Sequence, residues 1–251
     1  MVTFVSMSFK RLQPYFIHLD TIDSTNNYAA KLLRTEKVEN GTTILTKRQT
    51  SGKGQRGASW QSDIDDNLLM SCIVFPEIPA TDVFLLNVMT SLAVCRTLRQ
   101  MSIIAEIKWP NDVLVNGRKI CGILIENQLQ GTQIQSSVIG IGLNVNQRNF
   151  QPEFNATSIV NEKEEMDTVA VGRKLLQSLD FYFDRLLNGE REKILDEYYD
   201  LMFLLNQEST YRRGDEIFKG TIKGIDEAGK LLVETGNRIH AYDLREISFV
   251  R

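Results

Sequence analysis

The apolar residues of this chain change their period twice between positions 68 and 145, and that switch constrains the fold more than any other feature. Leu68 to Phe75 is a continuous apolar run bounded by Asn67 and Pro76, the pattern of a buried strand. From Thr81 to Met101 the positions Phe84, Leu85, Val88, Met89, Leu92, Leu98 and Met101 keep helical phase, with Thr81 as the expected N-cap. A meander of strands follows. Ile103 to Lys108 leads to Pro110, which interrupts pairing. Val113 to Val115 runs into Asn116-Gly117, a strong hairpin signal, and Ile120 to Glu126 returns. Gln130-Gly131 turns again and Ser137 to Val145 forms a further strand. On the N-terminal side, residues 23–36 read as a short helix that Ser24, Thr25 or Asn26 can cap, and Thr42 to Lys47 as a strand. On the C-terminal side, 168–187 and 190–205 read as helices separated by Asn188-Gly189. After Asn206 the texture changes to short β-prone pieces punctuated by Gly214, Gly220, Gly224, Gly229 and Gly236. The expected organisation is a main domain over 1–206 and a small β domain over 207–251.

Composition removes several function classes. Hydrophobic residues at 42% and charged residues at 24% describe a globular chain, not a disordered one. Basic and acidic residues number 29 and 32, so the overall charge is not that of a nucleic-acid binder. Apolar runs such as Leu68 to Phe75 fall well short of the roughly 18 residues of a membrane span. The opening MVTFVSMSFKR shows no sustained apolar stretch and no small-residue cleavage site, so no signal peptide is read and the expected compartment is the cytoplasm. Cys72, Cys95 and Cys121 each sit in an apolar run without C-x-x-C spacing, which favours inert packing. With only His18 and His240, a histidine-based triad or metal site starts poorly.

Three segments carry chemistry. In Gln49-Thr50-Ser51-Gly52-Lys53-Gly54-Gln55-Arg56-Gly57-Ala58-Ser59-Trp60, three glycines let backbone N–H groups approach an anion. Lys47, Arg48, Lys53 and Arg56 add positive charge, and Trp60 offers a flat face for a base. The same composition also suits a plain surface loop. The match to G-x-G-x-x-G does not signal a dinucleotide site, because an apolar strand follows where that site needs a helix. The second segment is Lys108-Trp109-Pro110-Asn111-Asp112 followed by Arg118 to Glu126. Lys119 lies two residues past a hairpin turn, where a lysine either snorkels to water or neutralises a carboxylate or phosphate. Gly122 inside that strand signals close approach of a ligand or of another backbone. The third is Gly140-Ile141-Gly142-Leu143-Asn144-Val145-Asn146, where Asn144 can meet a base edge, a metal or nearby backbone groups.

In this order, Ser24-Thr25-Asn26, the glycine loop with Gln49 and Trp60, K-W-P-N-D at 108–112, R-K-I-C-G-I-L-I-E at 118–126 and G-I-G-L-N-V-N at 140–146 resemble biotin–protein ligase. The resemblance is dense in motifs from 24 to 146 and architectural beyond. It implies an α+β chain: a class-II-synthetase-like catalytic domain, a mixed sheet with helices, and a small C-terminal β-barrel like Src-homology-3 folds. It implies ATP and biotin as substrates with Mg2+, a biotinyl-5′-AMP intermediate, and transfer to a lysine on the biotin carboxyl carrier domain of acetyl-CoA carboxylase. Position by position, Ser24, Thr25, Asn26 and Gln49 correspond to biotin contacts, and Lys53, Gly54 and Gln55 to the loop over the biotinyl phosphate. Lys119 corresponds to the lysine at the reacting carboxylate and phosphate, with Lys53 and Arg56 as further cationic catalytic candidates. Gly52, Gly54, Trp60, Asn111 and Asn144 fall near the nucleotide, and Asp112 is a candidate for positioning metal or acceptor lysine.

The loop departs from the common G-R-G-R-x-G pattern. Lys53 replaces one arginine, Gln55 stands where another helps to hold the intermediate, and Arg56 lies one position on. A lipoate or octanoyl transferase of related fold is the alternative reading. The main-domain pattern starts within twenty residues, so neither a DNA-binding module nor a DNA partner is expected, and no membrane partner either. An exposed sheet edge leaves a homodimer open.

Overall fold

The computed structural model describes residues 9–62 and 65–250, the side chain of Arg56 apart. Most of the opening segment read for a signal peptide therefore lies outside the described residues. The chain builds β1 (Tyr15–Ile22), α1 (Thr25–Thr35), β2 (Thr42–Gln49), β3 (Asn67–Val74), α2 (Val83–Arg99), β4 (Glu106–Lys108), β5 (Asp112–Val115), β6 (Arg118–Gln130) and β7 (Gln133–Asn144). Next come α3 (Ile159–Glu162), α4 (Thr168–Leu187) and α5 (Arg191–Asp200). The chain ends with β8 (Glu208–Arg213), β9 (Glu216–Ile225), β10 (Leu231–Thr235), β11 (Arg238–Tyr242) and β12 (Ser248–Phe249).

The first seven strands form one sheet in the order β1-β2-β3-β7-β6-β5-β4. β1 and β2 pair in parallel, which requires a crossover, and α1 supplies it. The remaining neighbours pair antiparallel, most through short hairpins. β3 is buried along its whole length, which explains why its sequence is a run rather than an alternation. Side chains of successive residues take opposite faces of the sheet. Ile44, Ile73 and Val138 meet Ala29 and Leu32 of α1 on one face. Leu45, Cys72, Val74 and Ile139 join α2 and α4 in the larger core on the other. The segment Ala80–Arg99 is long and apolar enough to cross a membrane by length and composition, yet two-thirds of it is buried inside the protein.

Five further strands make an antiparallel sheet in the order β11-β10-β9-β8-β12. Its inner residues Tyr211, Ile222, Leu231, Val233 and Tyr242 are continuous with the main core. The N-terminal segment is tied down by α4. Asp180 accepts the backbone N–H groups of Lys10, Arg11 and Leu12 at 2.8, 2.9 and 2.8 Å. Asp184 pairs with Lys10 at 2.9 Å and Arg11 at 2.8 Å, and those two partners hold its carboxyl below the usual range.

Several expected boundaries move. Thr81 is not an N-cap: Ala80–Asp82 is a 3-10 turn and α2 starts at Val83, with Asp82 turned to pair with Arg191. The strand expected from Ile103 begins only at Glu106. β6 and β7 run longer than their apolar cores because polar residues such as Asn127, Gln128 and Gln133 continue the backbone ladder. The helix expected over 190–205 stops at Asp200, and Leu204 and Asn206 adopt positive φ. Within the glycine loop, Gln55–Gly57 makes a 3-10 turn and Lys53 bridges Ser59.

Candidate active site

On the face that α1 covers, two rows of residues cross β3, β7 and β6. Ser71 pairs with Gly140 and Gly140 with Leu124; Leu69 pairs with Gly142 and Gly142 with Gly122. Glycines at three of these six places hollow the sheet surface just beyond the start of α1. The result is a cavity of about 200 Å³ lined by residues of α1, the glycine loop, β5, β6 and β7. A Cβ on Gly122 would stand 2.8 Å from the Trp60 ring, and one on Gly142 nearer still. The glycines are there because the tryptophan lies directly on them. Only the smallest residue permits that approach.

The head of α1 is fixed by a polar network. Gln49, the last residue of β2, accepts through Oε1 from the Thr25 N–H at 2.7 Å and from the Thr25 hydroxyl at 3.1 Å. Ser71 Oγ lies 2.7 Å from Thr25 Oγ1 and 2.6 Å from Asn26 Oδ1. Asn26 Nδ2 donates to Glu126 Oε2 at 2.7 Å and to Leu124 O at 3.3 Å. Both ends of the Asn26 amide are thus engaged by protein groups, and its place is beneath the cavity as a brace. Ser24 caps α1 without a side-chain cap bond, so its buried hydroxyl is left to the cavity.

The loop folds over this floor as a small hairpin. Gly54 N–H donates to Ala58 O at 2.7 Å and Trp60 N–H to Gly52 O at 2.9 Å. A Cβ on Gly52 would stand 2.5 Å from Trp60 O, so Gly52 shapes the loop rather than the cavity wall. Lys53 Nζ donates to Asn27 Oδ1, and Asn27 Nδ2 donates to Asp23 Oδ2, each at 2.5 Å. The Asn27 bond, then the Ser24 backbone N–H, lowers the Asp23 carboxyl below its ordinary value. The side chain of Arg56 lies outside the described residues.

Lys119 stands at the cavity's outer side. Its ammonium is 2.6 Å from Asp112 Oδ1 and 5.7 Å from the centre of the Trp60 ring. Its backbone is pinned on both sides, donating to Asn155 O and accepting from Thr157 N–H, both at 2.9 Å. The side chain is one-third exposed, so it can meet an incoming anion. Asp112 uses one oxygen on Lys119, and among the described residues no three His, Cys, Asp or Glu side chains gather as a metal site. Asn111 is locked to β6, with Nδ2 donating to Ile123 O at 2.6 Å while its carbonyl accepts from Ile123 N–H at 3.0 Å.

Ser24, Thr25, Asn26, Gln49, Lys53, Gly54, Gln55, Trp60, Asn111, Asp112 and Lys119 all line the one cavity. Asn144 does not. It is buried and donates to Thr157 O at 2.9 Å, the backbone-satisfying alternative. Sequence reasoning missed Ser71 and Glu126, which hold the head of α1. It also missed a second cavity of about 370 Å³, which shares Trp60 and Lys119 with the first and adds Gln147, Asn149, Phe150 and Phe154. Residues 147–158 have no helical or alternating pattern to reveal them. Trp60 is the partition between the cavities. Its indole Nε1 is buried without a hydrogen-bond partner among the described residues, an unmet donor of the kind a bound ligand satisfies.

The chain is similar to known proteins along most of its length. Residues 19–144 match the Biotin/lipoate A/B protein ligase family and residues 204–250 the Biotin protein ligase C terminal domain. The bifunctional ligase/repressor BirA of Bacillus subtilis is 34% identical, with 90% of this chain and 71% of that protein covered. A biotin–[acetyl-CoA-carboxylase] ligase of Mycobacterium tuberculosis is 26% identical over 88% of this chain and 84% of its own length. The biotin protein ligase of Aquifex aeolicus, solved in complex with biotin and ATP, superposes with a TM-score of 0.76 at 27% identity, covering 94% of this chain and 98% of that one. The chain accordingly belongs to the biotin/lipoate A/B protein ligase family, and within it to the biotin protein ligases.

Proposed function

We propose that the protein joins biotin to a carrier lysine in two steps within the paired cavities. The biotin carboxylate attacks the α-phosphorus of ATP, giving biotinyl-5′-AMP and pyrophosphate. A lysine amine of a biotin carboxyl carrier domain then attacks the mixed anhydride, forming the amide and releasing AMP. The acetyl-CoA carboxylase carrier is the expected acceptor. Neither step needs a nucleophile from the enzyme. The protein's task is to align two substrates and to stabilise charge on the phosphate.

The observation that carries this reading is Lys119, an ion-paired and backbone-pinned ammonium at the junction of two cavities separated by Trp60. The glycine-floored cavity receives biotin. Ser24, Thr25 and Gln49 face the ureido ring, which both donates and accepts hydrogen bonds. The neighbouring cavity receives the nucleotide, with Trp60, Phe150 and Phe154 beside the base. Lys53, Gly54 and Gln55 lie over the activated carboxyl, with Arg56 as a further cation there. Asn111 and Asn144 act from behind, by fixing β6 and the 155–157 segment. Magnesium, in this reading, enters with the ATP phosphates. In this reading residues 1–206 carry catalysis, 207–251 support it, and the reaction belongs to the cytoplasm. The repressor half of the bifunctional relatives' name is not carried over.

Mass spectrometry of a carrier domain incubated with the protein, biotin and MgATP tests the proposal. A gain of one biotinyl group on a single lysine is expected. Pyrophosphate exchange driven by lipoate and not by biotin would refute it in favour of the lipoate branch of the family.

A further inference from the structure

The pentapeptide 108–112 has two allegiances. Asn111 and Asp112 line the biotin cavity, whereas Lys108 and Trp109 face the C-terminal sheet. The Trp109 side chain is buried, and its Nε1–H donates to Gly229 O at 2.9 Å across 120 residues of sequence. Gly229 closes a tight turn between β9 and β10. Asp226 Oδ1 accepts from the N–H groups of Ala228 and Lys230 at 3.0 and 2.8 Å, and Gly229 itself has a φ of +83°. Phe84 of α2 packs against Gly229 so closely that any Cβ there would strike its ring. The acceptor carbonyl is therefore held from both sides. The preceding strand is also clamped. Ile107 N–H donates to Leu201 O at 2.7 Å and Ile107 O accepts from Phe203 N–H at 2.9 Å, while the Lys108 ammonium lies 4.8 Å from the centre of the Phe249 ring.

Resting on the function proposed above, we infer that Trp109 is a positioning residue through which the C-terminal β9–β10 turn sets the register of Asp112 and hence the aim of the Lys119 ammonium. The hydrogen bond fixes one end of a short segment whose other end carries the Asp112–Lys119 pair at 2.6 Å. Trp109→Phe removes the indole donor while keeping an aromatic ring, and the segment then rests on its remaining anchors at Ile107 and Asn111, which allow a small displacement of Asp112. A small displacement of a charge-stabilising group lowers the rate of chemistry more than the binding of the substrate's far end.

The test is single-turnover formation of biotinyl-5′-AMP by the full chain, with biotin affinity measured separately. The unsubstituted protein must bind biotin and form the adenylate; if it does neither, the proposed function falls and not this inference alone. Trp109→Phe is expected to slow adenylation by about three- to tenfold, the scale of one neutral hydrogen bond, with biotin Kd changed less than about twofold. In a Lys119→Met background the same substitution is expected to cost less than about twofold, because the group being aimed is gone. Equal losses in both backgrounds, an unchanged rate, or a parallel loss of biotin affinity would overturn the inference. If Trp109→Phe does not fold, Phe84→Leu, which unseats Gly229 from the far side, must reproduce the pattern; a folded Phe84→Leu protein with unaltered adenylation also overturns it.

Discussion

Adding one methyl group at Gly142 separates ligand binding from folding. A Cβ there would strike three carbons of the Trp60 ring, two at 2.7 and 2.8 Å and one nearer still, where ordinary contact starts near 3.4 Å. The backbone cannot yield, because Gly142 is paired to Leu69 on one side and to Gly122 on the other in mid-sheet. The ring must therefore retreat by about 1 Å. It sits on a loop held by few backbone bonds, so the retreat is easy in the free protein and the unfolding temperature should change little. Bound ligands need the ring where it is. Overpacking of this kind costs about 1–3 kcal/mol, and when that cost falls on the complex it weakens binding by about 5- to 150-fold. Titration calorimetry of Gly142→Ala with biotin and with ATP measures it, with thermal denaturation of the free protein in parallel. Unchanged affinity for both ligands, or a large fall in the unfolding temperature without one in affinity, would show that Trp60 does not form the shared wall.

Replacing Lys119 by Met should cut adenylation by about 100-fold or more, as loss of a preorganised charge-stabilising contact does, measured by biotin-dependent pyrophosphate exchange. Asp184→Asn should lower stability at neutral pH. Because the folded pKa of Asp184 is depressed by Lys10 and Arg11, its contribution is full above the ordinary carboxylate value and fades as pH falls through the lower folded one. The gap in unfolding temperature between the two proteins should therefore close below about pH 4. Burial pushes the Cys72 and Cys95 thiols up to about 12 and Cys121 higher still, so iodoacetamide at pH 8 should leave the native protein unlabelled and active. Rapid labelling of native protein by mass spectrometry would contradict that.

The elements most legible in the sequence were those whose burial matches a simple period. β3 and α4 fall almost where the pattern puts them, and Asn116-Gly117 makes its hairpin with both residues at positive φ. The polar outer halves of β6 and β7 were invisible because backbone pairing there involves no apolar face. The site was readable wherever glycine or charge interrupted a strand, as at Gly122, Lys119 and Gly142. Ser71 was not readable, since a small hydroxyl within a fully buried strand looks like packing until α1 is seen above it. Asn26 lines the cavity while bonding Glu126, and Asn144 meets the Thr157 carbonyl, the backbone alternative its sequence left open; only three-dimensional neighbours decide between such partners.

The parallel β1–α1–β2 unit gathers Ser24, Thr25 and Gln49 from within about thirty-five consecutive positions, whereas the surroundings of the second cavity come from far-apart stretches of chain. The polar head of the first cavity is thus local in sequence, while its floor, Gly122, Gly140 and Gly142, comes from β6 and β7. Under the proposed function, recognition of the acid is shared between the two, so transplanting residues 15–49 alone between homologous scaffolds would move the polar head without its floor and would not exchange the acid.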